Sequence, residues 1–465
     1  MNEAVLAATS LAAVVGGGWV LALTLLPKRL EARAAWGLAY APALGFGLAS
    51  LLLCGARGLD LGRPGIASWL LAVVIAAVGL RLLRSGDDGA ALVARAEGPR
   101  AARDERAATA VLVAISALVA ARLFAAFVRA VPWGAWDAVA IWNLRARMLF
   151  RGWESIPAVL EGSDYPLCLP AGLAAQSGWV GRELPLAGHL AGLAFVAATL
   201  LLAGLAVRRL AGALPAAVTV VLLCGTPLFL GQGFSQEADV PLGYLLLGAF
   251  VPLAARLDRD GSDLPPALAG LCLGLAPWMK HEGRVEAILL LAPFAGLLVW
   301  ERRHGRDHAD EPLALPLAIG LLPGMLAAAL FHRYWVTGKV FDTALFVSGD
   351  WLGRAADPAR WLRPVRALIE HLAPAAANPV WAATAAAILL LAIVAAARRA
   401  ARASAEFRLW LPVALAFLFF WCASYALTPY DPEWHIRTSL DRVVLQFLPI
   451  TASALAAAAF RSPPD

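Results

Sequence analysis

Charge is scarce in this chain. Asp, Glu, Lys and Arg make up 15% of its 465 residues, whereas a soluble globular domain carries about 25%. So few charges cannot clothe a water-facing surface, and a soluble globule is excluded. Cysteine is sparse and unpatterned: Cys54, Cys168, Cys224, Cys272 and Cys422 are scattered, odd in number and mostly set within apolar runs. The lack of any CxxC spacing removes the usual zinc and dithiol signatures and leaves these residues as small hydrophobes. There is no repeat of the solenoid kind, and the only low-complexity stretch is the Ala/Arg-rich segment ahead of Arg106. The net charge of +6 is no pointer to nucleic acid, because basic residues gather in the cytoplasmic loops of membrane proteins.

What is abundant is apolar length. Hydrophobic residues make up 60% of the chain, and a hydrocarbon core about 30 Å thick needs roughly 20 mostly apolar helical residues per crossing. The runs fall at Val5–Leu26, Ala34–Cys54, Ile66–Leu80, Ala108–Val128, Leu186–Val207, Ala216–Leu230, Val240–Leu257, Ala267–Met279, Val285–Trp300, Leu313–Phe331, Val380–Ala397, Leu409–Leu427 and Val443–Phe460. They predict an all-α, polytopic bundle of about thirteen transmembrane helices, several short enough to be tilted or broken. The first run lacks the basic flank and small-residue cleavage site of a signal peptide and is expected to stay as a membrane helix.

If the spans alternate, the basic segments "PKRLEAR", 81–106, "RRL" at Arg208, "ARLDRDG", "ERRHGR" and "ARRAARASAEFR" all share one side, which the positive-inside rule makes cytoplasmic. The other side receives a large loop at 131–182, the turn at 231–239, the "MKHEGR" corner, a second loop at 332–378 and "TPYDPEWHIRTSLDR". Carboxylates, histidines and aromatics concentrate on that outward side.

In "GAWDAVAIWNLRARMLF", Asp137 follows a Pro/Gly turn and precedes a helical pattern; it is read as a helix cap, as a general base at the edge of a cavity, or as both. Trp133, Trp136, Trp142 and Trp153 suit an interfacial belt, with the segment lying along the membrane as an amphipathic element. Arg145, Arg147 and Arg151 are then available to headgroup or lipid phosphates. "SDYPLCLP" offers Asp164, either the start of a short helix or a second acid in the same cavity; with Asp137 it is a candidate ligand of a divalent cation, though no spacing specifies a metal site. "GQGFSQEADVPLG" supplies Gln236, Glu237 and Asp239 at a helix mouth, where a solvated turn is the plainer reading. "WMKHEGRVEAILL" packs Lys280, His281, Glu282, Arg284 and Glu286 into one corner. There Lys280 is a phosphate cation or a snorkelling anchor, and Glu286 falls inside an apolar run, facing protein or a water-filled cavity. "HIRTSLDRVVLQFLP" adds His435, Arg437, Asp441 and Arg442, arginine being suited to bidentate phosphate contact.

In this order the segments resemble integral-membrane glycosyltransferases of the GT-C type, in the branch of the protein mannosyltransferases and the lipid A aminoarabinose transferase (glycosyltransferase family 39-like). "WDAVAIWNLRARMLFRGW" matches the acidic first outward loop. "DYPLCLP", a helix ending in "VRRL", the turn "SQEADVPLGYLLLG" and the Gly-rich "GLCLGLAPWMKHEG" with its Lys-containing corner follow in sequence. The likeness runs from about Ala108 to Trp300. Two features depart from it: Asp137 is followed by Ala138 where many relatives carry adjacent acids, and the corner reads Lys280-His281-Glu282 in place of the commoner Lys-Gly.

The resemblance implies a catalytic domain at 108–465 behind N-terminal helices at 1–107, and inverting transfer of a hexosyl or pentosyl group. The donor would be a polyprenyl-phosphate sugar and the acceptor a lipid, glycan or protein at the outer face of the inner membrane. It implies Asp137 as base and a donor site drawn from Asp164, Tyr165, Glu237, Asp239, Lys280, His281, Glu282, Arg437 and Arg442. It implies no definite cofactor and leaves metal dependence open, with Asp137 and Asp164 as the candidates to hold a divalent cation. A secondary transporter is the main alternative, but transporters place charges near the midplane and show matching halves, and neither is seen here. A non-catalytic envelope-assembly or export subunit is the other.

Overall fold

The computed structural model describes residues 2–27, 32–58, 136–152, 164–258, 264–304, 313–336, 349–372, 379–398 and 404–461, with isolated positions 30, 118, 122 and 134. Among these residues every regular element is helical. That follows from composition: Ala and Leu are strong helix formers, and in lipid a helix satisfies each backbone group within its own segment.

Eight helices are long and apolar enough to cross a membrane: α1 (Glu3–Leu25), α2 (Arg33–Gly58), α5 (Ala187–Ala211), α8 (Asp239–Arg256), α10 (Glu282–Arg303), α11 (Ala314–Tyr334), α15 (Ala405–Leu427) and α16 (Pro432–Phe460). Between them lie α3 (Leu144–Arg151), α4 (Cys168–Val180), α6 (Ala213–Cys224), α7 (Pro227–Ser235), α9 (Pro266–Met279), α12 (Trp351–Ala356), α13 (Pro358–Leu372) and α14 (Pro379–Ala397). The expectation of about thirteen full spans is met only in part. α6 and α7 are bent by 70° across a break, the geometry of a broken span or a re-entrant loop, with α6 ending at Gly225 and α7 starting at Pro227, because proline fits a helix start but not its interior. α9 is short. The runs at 66–80 and 108–128 lie outside the described residues apart from positions 118 and 122.

α8 is the axis of the bundle, buried along nearly its whole length against α5, α9 and α16. α2 belongs to the same core: Tyr40 Oη donates to the Gly248 carbonyl at 3.0 Å, Tyr244 Oη donates to the Ala39 carbonyl at 2.7 Å, and Trp278 Nε1 donates to Ser50 Oγ at 3.0 Å. α9 and α11 approach so closely that backbones touch. A Cβ on Gly274 would sit 2.3 Å from the Leu321 oxygen, and one on Gly324 2.2 Å from the Gly274 oxygen. With Gly270 and Gly320 one turn away, these are paired small-xxx-small faces, the packing that membrane helices use where apolar burial gives no drive.

One end of the bundle carries paired charge and basic excess. Arg461 holds Asp258 at 2.8 Å and Glu406 at 3.1 Å, and Arg408 pairs with Glu301. The opposite end gathers the turn after α7, the corner between α9 and α10, the start of α16 and residues 136–152 and 164–165. Nearby, α13 binds the end of α15 through Arg360, which donates to the Ala426 and Thr428 carbonyls at 2.7 Å, while its apolar Leu362, Val365 and Ile369 stay exposed. That amphipathic pattern suits a helix lying on a membrane surface.

Candidate functional site

The site is assembled around α16. Arg442 pairs with Asp137 and lies 3.5 Å from Glu237 Oε2. One turn later on the same face, Gln446 Nε2 donates to Asp239 Oδ1 at 2.7 Å. Asp239 in turn accepts from Lys280 Nζ at 2.7 Å, and Glu282 Oε1 lies 3.2 Å from the same ammonium. His281 Nε2 is 3.2 Å from Asp164 Oδ2, and Tyr165 packs on the His281 ring at 4.8 Å between centroids. Side chains from five distant segments thus meet at one end of the bundle.

Local structure explains the convergence. Gln236 adopts a left-handed backbone at φ +63°, costly for a residue with a Cβ, and it turns the chain out of α7 so that Glu237 and Asp239 face α16. Its Oε1 accepts from Asn143 Nδ2 at 2.7 Å, which ties the first loop to the turn. Gly188 gives the room: a Cβ there would stand 2.0 Å from Gln236 Oε1. Asp137 sits just before a π-helical turn, Ala138–Asn143, an element that recurs at functional sites. Its side chain makes no capping bond, so the cap reading of Asp137 gives way to an ion pair with Arg442. Asp164 is buried ahead of α4 and is not its cap, that position being Leu167.

Two other expectations change. Trp142 is buried, edge-on to Tyr165 at 5.6 Å, and is not a belt residue; Trp136 is exposed as a belt residue is, and Trp133 and Trp153 lie outside the described residues. Arg147 and Arg151 both bind Glu183, while Arg145 is buried, its Cζ 5.7 Å from the Tyr165 ring centre. Arg437 is exposed on α16; five positions before Arg442, it projects well away from that face, and the structure does not bring it into the cluster. Glu286 is buried as expected for an acid within an apolar run.

The electrostatics are unbalanced. Burial pushes the Glu237 carboxyl up, Asp239 and Asp137 add to the rise, and Arg442 and Lys280 hold it to about 7. For Lys280, burial acts downward but Asp239 and Glu282 outweigh it and keep the ammonium charged. Tyr165 is raised well above an ordinary phenol, first by burial and then by Glu282. Carboxylates outnumber cations here, yet among the described residues no group of three His, Cys, Asp or Glu is placed to hold a metal ion; Asp137 and Asp164 face different partners.

Asn143 and Gln446 were missed in the sequence, where nothing distinguishes a buried amide from a surface one; the signal for Gln446 was its one-turn spacing from Arg442. Comparison of the chain with protein-family models, with curated proteins and with solved structures returns no match.

Proposed function

We propose that this chain is a membrane glycosyltransferase that moves a sugar from a polyprenyl-phosphate donor to an acceptor, with its site at the outer membrane face. The observation that carries the proposal is the meeting of Asp137 with Arg442, and of Asp239 and Glu282 with Lys280, at the bundle end away from the basic loops. Cations gathered at one end of the bundle suit a leaving phosphate, and an adjacent carboxylate suits a base. The positive-inside rule puts the opposite, basic end in the cytoplasm.

In this mechanism Asp137 takes the acceptor's hydroxyl proton as that oxygen attacks the anomeric carbon. The bond from the anomeric carbon to the phosphate oxygen breaks with its electron pair staying on the phosphate, whose charge Arg442 and Lys280 receive. In this reading Arg442 has two tasks in succession. In the resting site its guanidinium binds Asp137; when phosphate competes for it, the carboxylate is released to act as base. Burial within the α7–α8 turn keeps water from the oxocarbenium-like centre. Arrival of the acceptor on the face opposite the phosphate makes the displacement inverting.

The test is transfer by purified protein from a prenyl-phosphate sugar. A positioned base contributes about 10²–10⁴-fold, so Asp137→Asn is expected to lose transfer by that factor while its thermal unfolding stays close to wild type. Turnover by the variant at the wild-type rate would remove Asp137 from the role.

A further inference from the structure

Resting on that reading, we infer that Arg145 is the first receiver of the donor's phosphate, ahead of Lys280 and Arg442. The argument begins with what the other two cations are doing. Lys280 is already bound by Asp239 and Glu282, and Arg442 by Asp137 with Glu237 nearby. An incoming phosphate reaches either one only by displacing a carboxylate. Arg145 is different: its side chain is 3% exposed and its Nη1 has no hydrogen-bond partner.

Asp164 compensates part of the buried charge, but a guanidinium nitrogen that has left water without gaining a hydrogen-bond partner is still costly. An anion arriving there gains the interaction without first breaking one. The guanidinium is also fixed in place for the task. Ala138, Trp142, Arg145, Ala146 and Leu149 are all buried on one side of the π turn and α3, so the helix face holds Arg145 inward. Its Cζ lies over the Tyr165 ring, a stacking mode that guanidinium favours over ammonium. Tyr165 in turn touches His281 and lies within electrostatic reach of Lys280 and Arg442. Tyr165 thus lies within reach of all three cations: Lys280 and Arg442 are ion-paired with carboxylates, whereas Arg145 has Asp164 within electrostatic reach only and keeps one nitrogen without a hydrogen-bond partner.

Guanidinium geometry selects the ligand class. Planar, paired donors suit a phosphate ester, and the membrane-level position suits one on a prenyl chain. A soluble phosphate shares that chemistry, so the experiment must separate the two sources. Direct binding of farnesyl phosphate, farnesol and inorganic phosphate is measured on full-length protein in lipid nanodiscs, for wild type, Arg145→Gln and Arg145→Lys. Loss of one charge-assisted hydrogen bond is expected to weaken farnesyl phosphate binding roughly 10- to 100-fold in Arg145→Gln, with farnesol binding unchanged and Arg145→Lys in between. The ratio of phosphate to alcohol affinity protects the test against a folding defect, which would depress both ligands alike.

If Arg145→Gln keeps the wild-type preference for phosphate, or loses affinity for both lipids equally, the assignment to Arg145 is overturned and the transferase reading stands. If wild type itself does not prefer farnesyl phosphate over farnesol, the donor class fails and this inference fails with it. Binding of inorganic phosphate as tight as that of farnesyl phosphate, and equally dependent on Arg145, supports the anion site but overturns the lipid as its source.

Discussion

Replacing Asp239 by Ala tests whether the pair at the centre of the site is a coupled, desolvated one. Lys280 Nζ lies 2.7 Å from Asp239 Oδ1, with side chains 6% and 1% exposed. At that separation and an effective dielectric constant of about 20, the Coulomb attraction is roughly 6 kcal/mol, most of it consumed in taking both charges out of water. Removing one partner leaves the desolvation cost of the other standing, which typically amounts to about 3–5 kcal/mol. Here Glu282 remains 3.2 Å from the ammonium but is 36% exposed, so its compensation is partial, and a loss of about 3 kcal/mol is expected. The lysine pKa in the folded state lies above its ordinary 10.5; its contribution is therefore fully present below pH 10.5 and lost as the pH rises through the folded value. The assay is unfolding in mixed detergent micelles at pH 7, run as a double-mutant cycle with Lys280→Met. The double variant is expected to be more stable than the sum of the single losses predicts, by more than about 1 kcal/mol. Additivity within about 0.5 kcal/mol would refute the account of the pair as one buried unit.

Glu237 gives a pH signature of the opposite sign from the usual carboxylate. Its folded-state pKa is raised from 4.5 to about 7, so the native state holds the proton more tightly and stability falls as pH climbs from about 4.5 to about 7, by about 3 kcal/mol in all. Glu237→Gln is expected to flatten that slope, read as unfolding free energy at pH 5 and pH 8; an unchanged slope would show that Glu237 is not its source. At the α9–α11 contact, Gly324→Ala places a Cβ 2.2 Å from the Gly274 oxygen. The strain is expected to cost about 1–3 kcal/mol, and micelle unfolding at wild-type stability would mean that the two helices separate freely.

Composition and run length made the fold class legible, because lipid forces helices and their apolar lengths are set by the bilayer. The run Ala216–Leu230 is short enough to be broken, but it passes through Pro227 and does not mark the break there, whereas the acids and cations of the site stand out as exceptions to an apolar background. What was hidden is orientation within a helix. Arg145, Arg147 and Arg151 look alike in sequence, and only the i, i+4, i+7, i+8, i+11 spacing of Ala138, Trp142, Arg145, Ala146 and Leu149 tells that the first faces inward. Trp142 was taken for a belt residue for the same reason. The pairing of Asp137 with Arg442 joins positions 305 residues apart, and no local pattern encodes such a contact.

The excess of carboxylate over cation has a consequence for how the site opens. If Lys280 and Arg442 were free, a lipid phosphate would bind with nothing to displace, and the resting protein would hold uncompensated buried charge. Matching each with a carboxylate removes that cost but blocks direct entry of an anion. In the proposed transferase, a protonatable Glu237, raised to about 7 beside Arg442, would relax the conflict: in its neutral form it ceases to compete for the guanidinium, so only Asp137 would have to move for a phosphate. The carboxylate that must leave Arg442 is then the one proposed to take the acceptor's proton, which couples donor binding to activation of the base. In the proposed transferase, substrate order would follow from this coupling, with the phosphate donor entering before the acceptor is deprotonated.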